Sequence, residues 1–273
     1  MGYKQGLHIH SIHCDGKDTL EELVQAAIEK GFDSIGFSGH SYIETYAEYS
    51  MNEEQAKVYR EEISRLQGVY GHKVKIYCGL EVDNCTPLSV DGYDYLIGSV
   101  HKFQHNGENV FVDWTLDLAI HAVRDIYHGD SDAYVRDYYK TVAALPDDYP
   151  IDILGHFDLV AKFTEQSDLF DPESPAYKEA ALAAVRALAG KVRFFEVNTG
   201  AMAKGYRTAP YPAKFIVEEM RKQGFGAIIS SDCHDKNLLD FGYEDAKKLL
   251  LACGYTEYYV LTDEGFVPIP LED

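Results

Sequence analysis

The chain has 273 residues, 46% apolar and 26% charged, a globular composition with ample core material that excludes a disordered or collagen-like chain. No run approaches the ~20 apolar residues of a membrane span. With 25 Lys and Arg against 45 Asp and Glu the net charge is −20, and no Lys/Arg-rich block stands out, so nucleic acid and anionic membranes are not expected partners.

The elements alternate between strand and helix. Gly6 to His10 reads as a short buried strand, and Leu20 to Ile28 as a helix stopped at Gly31. Ser34 to Ser38 is the second strand, Asn52 to Tyr70 a long charged helix, and Lys75 to Glu81 the third strand. Tyr95 to Val100 is the fourth strand, followed by helical stretches at Leu116 to Tyr127 and Asp132 to Leu145. Ile151 to Gly155 is the fifth strand, Tyr177 to Leu188 a helix, and Phe194 to Asn198 the sixth strand. Pro212 to Gln223 is a helix, Ala227 to Ser231 the seventh strand, and Tyr243 to Cys253 the last clear helix. Seven strands interleaved with helices predict an α/β fold with a parallel sheet, closed or open. No Pro/Gly/Ser-rich linker divides the chain, so residues 1–273 read as one domain. The segments 42–49 and 101–113 read as long aromatic-rich loops of the kind that cover active sites.

The five cysteines contain no C-x-x-C and no disulfide framework is expected. The opening Met1-Gly2-Tyr3-Lys4-Gln5-Gly6 is not followed by an apolar signal region, so a cytoplasmic location is expected.

The ligand-type residues fall on the strand pattern. His8 and His10 lie two apart on the first strand and share a face. His40 follows the second strand, Glu81 ends the third, His101 follows the fourth and His156 the fifth. Asp232 and His234 follow the seventh. In a parallel barrel all these ends converge on one rim. Adding Asp15 makes nine candidate ligands, too many for one tetrahedral ion and enough for two or three. Histidine with carboxylate suits zinc, manganese or iron. Two ions close together can clamp a phosphoryl group and generate a nucleophile from water near neutral pH. Cys233 and Cys14 are read as structural. His13, His72, His105, His121 and His128 are not expected to be ligands.

Taken together, H-x-H at His8 and His10, D-G at Asp15-Gly16, G-H at His40, L-E at Glu81, G-S-V-H at His101, G-H-x-D at His156 and S-D-x-H at Asp232 and His234 resemble the polymerase and histidinol phosphatase (PHP) superfamily. The resemblance spans nearly the whole chain. It implies a distorted (β/α)7 TIM-like barrel with a trinuclear site at the strand C-terminal ends. One ion would be held by His8, His10, Glu81 and Asp232, a second by Glu81, His101 and His156, and a third by Asp15, His40 and His234. Glu81, Asp232 and His234 would be the catalytic residues. Within the superfamily the chain looks most like the stand-alone histidinol-phosphate phosphatases of the HisK type, through Val112-Asp113-Trp114, Asp137-Tyr138-Tyr139, Asn198-Thr199-Gly200, Arg207 and Pro210-Tyr211-Pro212.

That likeness implies a phosphomonoesterase acting on L-histidinol phosphate in histidine biosynthesis. The alternatives are a PHP phosphoesterase for phosphotyrosine or a nucleotide, and a non-catalytic metal-binding barrel. An amidohydrolase also uses H-x-H, but no lysine here ends a strand. Relatives often carry an arginine after G-H-x-D; here the stretch is Asp158-Leu159-Val160-Ala161-Lys162-Phe163, so either Lys162 substitutes or the phosphate grip relies on Arg207. Lys102, beside His101, is a further candidate for substrate contact. Asp158 would orient His156 or serve as a loop cap. The oligomeric state is not legible.

Overall fold

The computed structural model describes residues 3–271; Met1 and Gly2, the start of the segment read for a leader, lie outside the described residues, as do Glu272 and Asp273. The first strand, β1 (Gln5–Gly6), is shorter than its sequence pattern. Past Gly6, side chains take some of the ladder positions: the Tyr95 hydroxyl donates to the Leu7 carbonyl, and the Ile9 N–H donates to Ser38 Oγ at 3.2 Å. Helix α1 (Leu20–Glu29) begins at Thr19, which forms a reciprocal capping box with Glu22. After β2 (Ser34–Phe37), α2 (Glu53–Tyr70) is capped in the same way by Asn52 and Gln55. Then come β3 (Lys75–Asp83) and β4 (Tyr95–Ser99).

The segment 101–113 is not a plain loop. It forms an antiparallel hairpin of β5 (Lys102–His105) and β6 (Glu108–Phe111). Asn106 and Gly107 turn it with φ of 50° and 85°, both left-handed, as a two-residue hairpin turn demands. Helix α3 (Leu116–His121) stops short of Tyr127 because Ala122–Ile126 winds into a π turn. The chain continues through α4 (Ser131–Asp148), β7 (Ile153–Leu154), α5 (Pro175–Leu188) and β8 (Phe194–Asn198). It goes on through the short α6 (Gly200–Ala203), α7 (Lys214–Lys222), β9 (Gly226–Ser230) and α8 (Tyr243–Ala252). A second hairpin, β10 (Glu257–Thr262) with β11 (Gly265–Pro270), follows; the sequence pattern does not resolve it.

Seven parallel strands run in the order β1-β2-β3-β4-β7-β8-β9. Beyond β1 and β9 an Ile9–Cys233 bridge closes the ring: the His10 N–H donates to the Cys233 carbonyl at 2.8 Å, and the Cys233 N–H to the His8 carbonyl at 3.0 Å. The result is a distorted (β/α)7 barrel. Leu7, Tyr95, Ile97, Ile153, Phe194 and Ile228 fill its interior. Leu261 of β10 joins them, and the Gln5 side-chain amide holds both backbone groups of Leu261 at 2.8 Å. The second hairpin thus covers the N-terminal end of the barrel. Outside, the helices bury apolar stripes such as Leu20, Leu23, Val24 and Ala27 of α1, where each large side chain contributes roughly 1.5–3 kcal/mol relative to exposure. The strand C-terminal ends remain open for chemistry. Among the described residues no helix is long and apolar enough to cross a membrane.

Candidate metal centre

The predicted ligands gather at that open end. A Cβ on Gly16 would lie 2.5 Å from the His10 carbonyl carbon, so only glycine lets this loop fold back on the strand. The fold-back brings Asp15 Oδ1 to 3.4 Å from His10 Nδ1. Asp232 sits at φ 48°, a left-handed backbone that strains a non-glycine residue and aims its Oδ1 to 3.3 Å from His10 Nε2. A bridge between His40 and Glu81 extends the β2–β3 pairing into the site.

Glu81 lies at the centre. Its Oε2 is 3.2 Å from His8 Nε2, 3.5 Å from His10 Nε2 and 2.9 Å from His40 Nδ1. Its Oε1 is 3.0 Å from His156 Nε2 and 3.4 Å from His101 Nε2. Around Asp15, Oδ1 is 3.5 Å from His40 Nε2 and Oδ2 is 3.0 Å from His234 Nε2. Atoms sharing one tetrahedral ion at about 2.0–2.2 Å stand roughly 3.4 Å apart, which is the spacing found here.

The cluster resolves into overlapping groups whose ligand atoms lie within 4.8 Å of one another. They are His8, His10 and Asp232; His10, Asp15, His40 and His234; His8, Glu81 and His156; and His40, Glu81 and His101. All nine residues fall in at least one group. The first two groups follow the first and third predicted ions closely. The expected second set, Glu81 with His101 and His156, is divided between the last two groups.

The donor set fits divalent cations. His8 Nε2, His10 Nε2, Asp15 Oδ1 and Glu81 Oε2 are buried and have no hydrogen-bond partner. Buried polar atoms are nearly always paired, so orphaned atoms converging on one spot point to a ligand that pairs them. The electrostatics agree. Burial opposes a charge on His8, but Glu196, Glu81 and Asp232 outweigh it and raise its pKa to about 10. Burial likewise opposes ionisation of Glu81 and Asp232, yet Glu81 is held well below its ordinary range by His8 and His40, and Asp232 by Lys204 and His8. The pocket favours positive charge.

Two carboxylates that sequence patterning missed hold the ligands from behind. Glu196, mid-strand in β8 and 1% exposed, accepts from His8 Nδ1 at 2.9 Å, the His156 N–H at 2.7 Å, Asn198 Nδ2 at 2.7 Å and Ser230 Oγ at 2.6 Å. Asp83 Oδ2 accepts from the His101 N–H at 3.1 Å and lies 3.0 Å from its Nδ1. A buried glutamate inside an otherwise apolar strand was the available signal. Such partners fix the ring orientation and raise ligand basicity.

Other histidines stay outside. His13 pairs with Glu62 at 2.8 Å, His105 with Asp137 at 2.8 Å and His121 with Asp125 at 2.6 Å. His72 and His128 are exposed. Cys233 Sγ donates to the Asp235 carbonyl at 3.1 Å, and Cys14 Sγ stands 3.5 Å from His10 Nδ1.

The candidate substrate contacts divide. Lys162 borders the cleft over the cluster, with Nζ 2.7 Å from the Asp113 carbonyl oxygen and 3.1 Å from Asp113 Oδ2. Arg207 is placed elsewhere. It borders a separate cavity beside Lys178 and Phe215, donates to the Ala161 carbonyl at 2.9 Å and packs on the Tyr211 ring at 4.9 Å. The turn through α6 brings Lys204, not Arg207, to the cleft. Lys102 is 8% exposed on β5 and does not border the cleft. Asp158 does not touch the His156 ring; it accepts from Tyr177 Oη at 3.2 Å and the Ala213 N–H at 3.0 Å, tying the entry of α7.

A family model described as the PHP domain matches residues 6–200, which carry seven of the nine clustered residues. The chain belongs to the PHP family. Asp232 and His234 lie beyond the matched segment and complete the same cluster. Among curated relatives, a Schizosaccharomyces pombe protein named as a probable histidinol-phosphatase is 29% identical, over 91% of this chain and 86% of its own. The histidinol-phosphatase of Bacillus subtilis is 26% identical, over 88% and 97%. The fold matches a crystal structure of histidinol phosphate phosphatase from Lactococcus lactis, complexed with zinc, L-histidinol and phosphate. Its TM-score is 0.72 at 21% identity, covering 97% of this chain and 98% of that one.

Proposed function

We propose that this PHP protein is a metal-dependent phosphomonoesterase that hydrolyses L-histidinol phosphate to L-histidinol and phosphate, a step of histidine biosynthesis. The carrying observation is the convergence of five histidines on the Glu81 carboxylate beneath two lysines. The names of the curated relatives, which align along about nine-tenths of the chain, support this substrate. The 273 residues are read as one metallophosphoesterase domain acting in the cytoplasm on a small phosphomonoester, with no nucleic-acid or membrane partner.

We assign His8, His10, Glu81 and Asp232 to one ion, Glu81, His101 and His156 to a second, and Asp15, His40 and His234 to a third, with zinc, manganese or iron as candidates. When bound, such ions polarise phosphoryl oxygens, lower the pKa of water and neutralise developing charge. The chain's own residues do the rest. Glu81 spans the centre and couples the ion positions. Asp232 stays ionised and can accept a hydrogen bond from the attacking water. His234, lowered to about 4 chiefly by burial, stays neutral and keeps a nitrogen lone pair available. Lys204 remains an ammonium: burial opposes its charge, but Asp232, Asp15, Asp113 and Glu81 outweigh it. With Lys162 it grips the phosphate oxygens, so attraction of the anion is local to the cleft on a chain of net charge −20.

A phosphate-release panel of phosphomonoesters with added zinc or manganese tests the reading. L-histidinol phosphate should give the highest kcat/KM, ahead of phosphotyrosine and nucleoside monophosphates. A clear preference for either of those would replace the substrate assignment.

A further inference from the structure

A second cavity, of about 410 Å³, lies between the first turns of α5 and α7, apart from the metal cleft. One thin segment separates the two: Ala161 borders this cavity, and its neighbour Lys162 borders the cleft. The size is that of a small-molecule pocket.

The floor holds two stranded polar atoms of opposite kind. Arg207 Nε is a buried donor, Asp158 Oδ1 a buried acceptor, and neither has a hydrogen-bond partner. Arg207 borders the cavity itself. Asp158 lies just behind it, since its Oδ2 accepts from Tyr177 Oη at 3.2 Å and from the Ala213 N–H at 3.0 Å, and both of those residues border the cavity. Buried polar atoms are nearly always paired, so stranded ones beside a cavity point to a group that arrives with a ligand. The rim carries both signs of charge, with Lys178 on Glu173 at 2.6 Å and Lys214 on Glu218 at 3.8 Å. Phe215 adds an apolar face, braced edge-on by Tyr177 at 5.5 Å.

Charge balance selects the ligand. A plain anion meets Arg207 but also two rim carboxylates, on a chain of net charge −20. A plain cation meets Arg207 and two rim lysines. A small molecule carrying both charges satisfies both sets. We propose that this cavity is a second ligand site, for a free α-amino acid in its zwitterionic form, and that its occupant is felt in the metal cleft through Arg207. The carboxylate takes the Arg207 Nε–H in a charge-assisted hydrogen bond. Glu173 and Glu218 hold the ammonium, and the side chain lies against Phe215.

Arg207 is the link. Its Nη1 donates to the Ala161 carbonyl at 2.9 Å, and its guanidinium lies 4.9 Å over the Tyr211 ring. Tyr211 and Lys162 both border the cleft. A carboxylate that draws the guanidinium toward the cavity slackens its hold on Ala161 and shifts Lys162 away from the phosphate. This coupling rests on the reading of Lys162 as a phosphate grip; the amino-acid site does not. Coupling of binding is reciprocal, so phosphate in the cleft weakens the amino acid by the same factor.

Calorimetric titration of the metal-loaded protein with each of the twenty proteinogenic L-amino acids tests this, with acetate and methylammonium as half-ligands. At least one amino acid should bind with a Kd on the order of 1 mM or tighter, and each half-ligand at least about tenfold more weakly. The paired variant Glu173→Gln/Glu218→Gln should weaken that amino acid by roughly tenfold or more while its Tm and its affinity for inorganic phosphate match the wild type. In the wild type, saturating amino acid should weaken phosphate binding by about fivefold. No binding by any of the twenty at about 10 mM would overturn the site. So would equal binding to the wild type and the paired variant, the result expected of an amino acid held by the metal ions instead. Phosphate affinity unmoved by bound amino acid would overturn the link through Arg207. Wild-type protein that binds the amino acid as described yet releases no phosphate from L-histidinol phosphate would overturn the proposed activity and leave the site standing.

Discussion

Glu196 holds His8 in the orientation its neighbours require. The carboxylate lies 2.9 and 3.1 Å from His8 Nδ1, and the opposite ring nitrogen, Nε2, faces Glu81 Oε2 at 3.2 Å. A proton held on Nδ1 leaves the Nε2 lone pair free for a cation. Glu196 also accepts from the His156 N–H, so one buried side chain positions two of the converging residues.

Glu196→Gln keeps the shape and removes the charge. Metal affinity should fall by about 10–100-fold, the usual cost of losing such a partner. Competition with a chelating dye measures it directly. Unchanged affinity would mean that Glu196 serves the barrel interior only.

Glu81→Ala should abolish activity, because Glu81 touches every branch of the cluster. His13→Ala should stay within about threefold of wild type, since it removes one partly exposed contact to Glu62 outside the cluster. Equal loss in the two variants would contradict the ligand assignment.

The lysines and Arg207 should separate. Lys162→Ala and Lys204→Ala should each lower kcat/KM by roughly 10²-fold, about 2.7 kcal/mol of transition-state stabilisation. Arg207→Ala should act on stability instead. It removes one donor to the Ala161 carbonyl, which keeps Thr164, and a cation beside buried Asp158, which should cost about 1–3 kcal/mol of folding stability. Thermal melts and steady-state kinetics on the three variants distinguish these outcomes. A large kinetic defect in Arg207→Ala with an unchanged Tm would return Arg207 to the phosphate.

The metal-free protein should be less stable at alkaline pH. A histidine whose folded pKa is raised contributes stability that is complete below its unfolded value, near 6.5, and is lost as pH rises through the folded value, about 10 for His8. The lowered carboxylates Glu81 and Asp232 contribute above about pH 4 and lose that contribution in acid. His234 has a lowered pKa, so its contribution is complete above about 6.5 and lost as pH falls toward 4, which sharpens the acid side. The Tm of chelated protein should therefore fall from pH 6 to pH 9, and bound metal should flatten the fall by replacing protons between the carboxylates. A chelated protein with the same or a higher Tm at pH 9 would contradict the inverse pairing of histidine and carboxylate.

The cluster was legible because its residues recur at strand ends, where a barrel leaves side chains facing one rim. His8 and His10 show it best through their two-residue spacing. Glu196 was not legible, since its partners His8 and His156 are 188 and 40 residues away and nothing local marks it except a charge inside FFEVN. Lys204 and Arg207 share one short segment, and composition alone does not say which faces the cleft; the turn of α6 decides it. The β5–β6 hairpin did carry its signal in Asn106-Gly107. Its contact with the 42–49 segment follows only from Phe111 packing against Tyr46, which lies 65 residues earlier in the chain by number.

The most direct measurement is steady-state phosphate release from L-histidinol phosphate by protein stripped with chelator and then titrated with zinc or manganese. The account predicts no turnover in the stripped protein and recovery that saturates at two to three ions per chain. Turnover surviving complete metal removal, or none in fully loaded protein, would contradict it.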